Sequence, residues 1–188
     1  MASYLSQAFS DNVQDQLVWK WNSFGRFTVS SCYAAFATSA KVNSPLAFIW
    51  KLPLPPNLQT FLFLLGSDRL LTQEQLQKRG VNLQPGCVLC QLPILEIAKH
   101  LFFECSFTVT VWGLLDLGTV FNSNLMLDLL LFNFSAARGN RRRGALLATA
   151  LWGTWLERNN RIFRQRHRLP AHITHWISSE AMAFLKYC

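Results

Sequence analysis

A chain of 188 residues is long enough for one ordinary domain or two small ones, and a hydrophobic content of 51% argues against a disordered chain. The net charge of +8 comes entirely from positions 138–168, where Arg138, Arg141, Arg142, Arg143, Arg158, Arg161, Arg164, Arg166 and Arg168 face a single acid, Glu157; the remainder is neutral. Five cysteines, a polar N-terminus without an apolar leader core, and apolar runs too short for a bilayer argue against a disulfide scaffold or a membrane protein. The expectation is a soluble intracellular protein with reduced thiols, in nucleus or cytoplasm without distinction.

Trp19 and Trp21, then Phe27 and Val29, alternate across a turn on Asn22 to Gly25, which predicts a short hairpin. Ser30 is placed to cap a helix running through Tyr33 and Phe36 toward Ala40. Ser44 before Pro45 opens a second short helix through Trp50, broken by Pro53, Pro55 and Pro56. Residues 57–65 form a buried helix closing near Gly66, and Thr72 with Gln75 has the form of a capping box for a helix over 73–79 that ends at Gly80. Residues 96–112 are compatible with helix, and 114–134 hold two apolar stretches separated by Gly118 and by Asn122 to Asn124. A polar stretch from Ser135 to Asn140 leads into a helix over 141–164, with Leu147, Leu151, Trp155 and Ile162 on one stripe. Pro170 precedes a terminal helix over about 172–186. Mainly α structure is expected, in three parts: an extension over 1–14, a metal-bearing domain over 15–134 and a basic helical segment over 135–188.

The most specific pattern is C-x2-C-x9-H-x4-C, formed by Cys87, Cys90, His100 and Cys105. Two thiolates from one tight turn and a second pair from a later element suit tetrahedral zinc, and Pro85 with Gly86 allows the turn. On a straight helix His100 and Cys105 would stand about 140° apart around the axis, so the helix must distort or end near residues 103–105. Leu101, Phe102 and Phe103 are expected to bury against the helix of residues 61–65. Lys99 is a candidate to offset the charge of −1 left by three thiolates and an imidazole on Zn²⁺. With all four positions supplied by the chain, the zinc should hold structure and not activate water. Glu96 is expected to orient the His100 imidazole, the other reading being a general base. Cys32 and Cys188 are read as unligated, and His167, His172 and His175 as surface residues.

The ordered set Trp19, Gly25, Phe27, Val29 and Tyr33, then Ile49-Trp50-Lys51, Pro55-Pro56, Phe61 and Asp68-Arg-Leu70, then Cys87, Cys90, Glu96, His100, Phe102, Cys105 and Trp112, resembles the reverse-transcriptase zinc-binding domain of plant LINE-type, non-LTR retrotransposons. It covers residues 15–112, and 151–163 resembles a helix that commonly follows. The chain departs from the family pattern at Asn57, Phe63 and Ile97, away from the metal ligands. The resemblance implies structural Zn²⁺ on the four ligands and a role assisting a reverse transcriptase, acting in trans, in contacting RNA or single-stranded DNA.

No Asp-Asp pair of the polymerase type and no carboxylate cluster for ribonuclease H are found, so no catalytic role is expected. The nine arginines are the candidate phosphate contacts, with Trp152 and Trp155 assigned to core. A protein-interaction scaffold and a retroelement remnant without selected activity are the competing readings.

Overall fold

A computed structural model describes residues 17–39, 45–118 and 126–187. The chain divides into two compact units, Met1–Ser44 and Pro45–Cys188. The expected extension over 1–14, the Ser44 cap, the Asn122 to Asn124 break and Cys188 all lie outside the described residues.

In the first unit the expected hairpin is a closed turn, and no strand occurs among the described residues. Trp19 N donates to Gly25 O at 2.8 Å, and the Asn22 side chain accepts from Phe24 N at 2.9 Å. Gly25 sits at φ 67°, a region that a side chain makes costly. The Trp19 ring packs against Trp21 and Phe27, with centroids 4.8 and 4.9 Å away. Aromatic contacts thus close the segment where a two-stranded ladder would be only marginally stable. Helix α1, Val29–Ser39, is capped by Thr28 and not by Ser30: Thr28 Oγ1 accepts from Ser31 N at 3.1 Å, and Ser31 Oγ accepts from Thr28 N at 3.2 Å. The reciprocal pair satisfies two end amides at once.

The second unit begins with Pro45–Lys51, which is 3₁₀ and not α helix. Helix α2, Pro56–Gly66, buries Leu58, Phe61, Leu62 and Leu65. Its end lies close under Leu46, so that a side chain on Gly66 would collide with it. Helix α3, Gln73–Lys78, is capped by Thr72 as expected, but only half of the box forms: Gln75 Nε2 reaches Asp68 Oδ2 at 2.6 Å instead of returning to Thr72. Helices α4, Ser106–Leu114, and α5, Met126–Ala136, follow.

Helix α6, Arg141–Arg164, occupies the expected span, with Asn140 Oδ1 accepting from Arg143 N at 2.9 Å. Helix α7, Pro170–Tyr187, packs along it, and at Gly153 a side chain would press on Ile177 and Trp176, which would have to shift to admit it. Trp152 meets Phe61 of α2 edge-on at 5.0 Å, and Trp155 lies 6.4 Å from Phe102. Both tryptophans are therefore packing residues. The basic segment, set apart by its charge, is packed into the same unit as the metal-bearing elements.

Candidate metal centre

Cys87 and Cys90 bracket a turn over residues 88–90, closed by Gln91 N to Cys87 O at 2.8 Å and Cys87 N to Leu92 O at 3.0 Å, with Gln91 at φ 60°. Gln73 ties the turn to the rest of the unit. Its side chain donates to Gly86 O at 2.8 Å and accepts from Gly86 N at 3.1 Å and from Glu96 N at 3.3 Å.

The second ligand pair depends on a distorted helix. Residues His100–Glu104 form a π turn, in which Cys105 N donates to His100 O at 2.7 Å, and the backbone becomes extended at Cys105 (ψ 129°) before α4 begins. Widening the turn to five residues brings Cys105 back over His100, where an α-helix would hold them apart. Carbonyls released by the distortion are taken up by side chains of α4: Thr108 Oγ1 donates to Leu101 O at 2.7 Å, and Trp112 Nε1 to Phe102 O at 2.8 Å. Leu101, Phe102 and Phe103 are buried as expected, with Phe102 meeting Phe61 at 6.0 Å and Phe103 stacked on Trp112 at 6.2 Å.

The four ligand atoms lie within 4.8 Å of one another. Cys87 Sγ and Cys105 Sγ are 3.8 Å apart, and Cys90 Sγ and His100 Nε2 are 3.5 Å apart. Tetrahedral zinc, with Zn–S near 2.3 Å and Zn–N near 2.0 Å, requires S···S edges of about 3.8 Å and S···N edges of about 3.6 Å. The donor set fits the ion along two opposite edges.

The hydrogen bond to Cys105, and then burial, hold the Cys87 thiol far above its ordinary value. Burial raises Cys90, whereas the hydrogen bond from Cys87 lowers Cys105, helped by the amides of Thr108 and Phe107 at the start of α4. Two thiols raised above their ordinary value are protonated at neutral pH, and zinc takes thiolates, so metal uptake expels at least two protons. Zinc affinity should therefore climb about 100-fold from about pH 7 to about pH 8 and fall as steeply on acidification. Competition with a chromophoric chelator checks this, and a flat profile contradicts it.

The surroundings of the site depart from expectation. Glu96 does not serve His100: fully buried, it accepts from Arg158 Nη2 at 2.8 Å and from Arg158 Nε at 3.0 Å. Lys99 pairs with Glu104 at 3.0 Å, and the cation bound to the C-x2-C turn is Arg161. Its Nη1 donates to Val88 O at 3.2 Å and Leu89 O at 3.0 Å, and its guanidinium covers the Phe107 ring at 4.6 Å. Glu157, fully buried, holds Arg161 Nε at 2.8 Å and also accepts from Arg168 N and Nε at 2.8 and 3.0 Å. Arg158, Arg161 and Arg168 are thus committed to buried acids and are not free phosphate contacts, a correction to the set of nine. Arg143 is half-buried and donates to Gly118 O at 2.9 Å. Arg138, Arg141, Arg142, Arg164 and Arg166 are exposed. Cys32 belongs to the first unit, and His167, His172 and His175 are exposed.

Residues 27–112, which include all four ligands, match the family described as zinc-binding in reverse transcriptase. That segment is similar to reverse-transcriptase zinc-binding domains. The metal that this family binds is zinc, and Cys87, Cys90, His100 and Cys105 form a group able to hold such an ion. The "Putative ribonuclease H protein" of Arabidopsis thaliana is 26% identical over 103 residues, covering 53% of this chain and 16% of that protein. No solved structure matches the chain at a significant level. The matched segment includes residues of both compact units, and the network on Glu96 and Glu157 joins its second part to α6 beyond the matched residues. The Glu96–Arg158 pair has no local signal, whereas the Glu157–Arg161 pair has one, since Glu157 stands four residues before Arg161 as the single acid among the nine arginines.

Among the described residues no helix is long and apolar enough to cross a membrane.

Proposed function

We propose that the protein is a non-catalytic, zinc-stabilised accessory domain of a retroelement-derived reverse transcriptase that assists in holding single-stranded nucleic acid. Four ligands from the chain close the zinc's coordination shell, which suits a structural ion and leaves no position for substrate or activated water. The observation that carries the nucleic-acid role is the division of the arginines. Three are spent on Glu96 and Glu157, while five remain exposed at the two ends of α6, where the backbone of a strand can reach them.

Each phosphate contact on a single strand adds about 0.7 to the slope of log affinity against log salt. Neutralising Arg141 and Arg142 together, as Arg141→Gln with Arg142→Gln, should lower the slope by about 1.4 and weaken binding of single-stranded RNA alike for all sequences. Titrations at several salt concentrations measure it. Binding that ignores salt, or a slope that the double variant leaves unchanged, contradicts the reading.

One observation favours a second reading, contact with a protein. An apolar groove of about 1040 Å³ runs between the C-x2-C turn and α6, with Leu92 51% and Phe163 74% exposed along it. On that reading the arginine substitutions leave nucleic-acid retention untouched.

A further inference from the structure

A separate cavity of about 340 Å³ lies where the 3₁₀ helix, the end of α5 and the start of α6 meet. Phe48 and Phe134, with ring centroids 6.2 Å apart, and Leu131 supply apolar walls. Lys51, Arg138 and Arg141 also line it, all three exposed, and none takes part in an ion pair among the described residues. No acidic residue is among its described lining. The fold brings Lys51, which ends the 3₁₀ helix, to Arg138 in the turn after α5 and Arg141 at the start of α6, nearly ninety positions later in the chain.

We infer that this cavity is a nucleotide subsite, in which one base lies against the apolar wall while its phosphate meets the three cations. The inference rests on the nucleic-acid reading proposed above and gives that reading a location. Size and lining both suit the ligand. The volume stands at the lower end of the ~300–1,000 Å³ usual for small-ligand pockets. A partly exposed aromatic ring such as Phe48 accepts the flat face of any base, and a guanidinium pairs with phosphate through two parallel donors. The positive end of the α6 dipole adds to the same field, although the cavity and the side-chain cations carry the assignment. The larger groove beside the zinc differs in that its basic lining residue Arg158 is neutralised by Glu96, so it offers an anion much less.

The shared chemistry is a base joined to a phosphate, whether as a free nucleotide or as one unit of a strand. Gly144 provides the test, because it lines the cavity within α6 and a Cβ there meets nothing within 4 Å. Gly144→Leu fills the space without changing charge, and Gly144→Ala serves as a control that leaves it open. The probes are a short single-stranded RNA and an abasic strand of the same length, bound to the zinc-loaded full chain and followed by fluorescence anisotropy. The wild type should prefer the strand with bases by about tenfold, from stacking of one base. Gly144→Leu should lose that preference and keep its salt dependence, while Gly144→Ala keeps both. Competition by adenosine monophosphate identifies the free nucleotide as sufficient, and its failure to compete identifies the strand, both within the assignment. An undiminished preference in Gly144→Leu, or equal binding of the two strands by the wild type, overturns the subsite while leaving the broader reading intact. If neither strand binds at low salt, both fall together.

Discussion

Stripping zinc from the protein with a chelator should unfold the second unit cooperatively, and restoring zinc should refold it. Structural zinc contributes about 10–16 kcal/mol in small zinc domains at neutral pH, as much as the whole stability of an ordinary domain, about 5–15 kcal/mol. Here the ion would join directly two segments otherwise linked only through Gln73, Arg161 and the shared core: a turn bounded by Cys87 and Cys90, and a π turn bounded by His100 and Cys105. A π turn is a poor helix by itself. Without the metal, one of its ends loses its purpose, and the chain can relax into the straighter helix that separates the two ligands. Near-ultraviolet circular dichroism, with Trp112 stacked on Phe103 beside the site, follows the loss of packing. Cys105→Ser should reproduce the chelated state with zinc present. A metal-free protein with unchanged near-ultraviolet signal and melting temperature would refute the structural role.

Arg158→Ala should cost about 3–5 kcal/mol even in the zinc-loaded protein, because it leaves the Glu96 carboxylate buried without a counter-charge. Both partners are almost fully enclosed, with side chains 4% and 1% exposed. The desolvation of Glu96 therefore stays in full after its partner is gone. Replacing both, as Glu96→Leu with Arg158→Met, should recover most of the loss, since two apolar groups need no partner. Arg141→Ala, on the solvent face, should change stability by no more than about 0.5 kcal/mol. Urea titration of the zinc-loaded variants measures all three. A small effect at Arg158 would mean that water reaches the pair and would return this arginine to the set available to phosphate.

The metal ligands were legible in the sequence because a C-x2-C pair and its later His and Cys lie within nineteen residues, and zinc coordination dictates which residue types can occupy them. The break near Cys105 was legible for the same reason: a straight helix cannot aim two side chains five residues apart at one ion. Its form was not. A π turn holds only because Thr108 and Trp112 satisfy the released carbonyls, and those bonds depend on how α4 folds back. The 3₁₀ form of Pro45–Lys51 was likewise hidden, since its proline start serves either helix type.

The arginines show where local reading stops. Nine positive side chains within 31 positions announce a basic segment, and the apolar stripe announces its helix. Which of them meet solvent depends on acids elsewhere in the fold: Glu96 lies 62 positions before Arg158, and the Val88 and Leu89 carbonyls lie more than 70 before Arg161. By itself the sequence determined the ligand set, the mainly helical character and the location of the excess charge, because each follows from residue type and short-range spacing. Only the tertiary structure decided which arginines are structural, what Glu96 pairs with and where an apolar cavity meets free cations. A buried charge takes whatever partner the packing brings to it, and that partner need not be near in sequence.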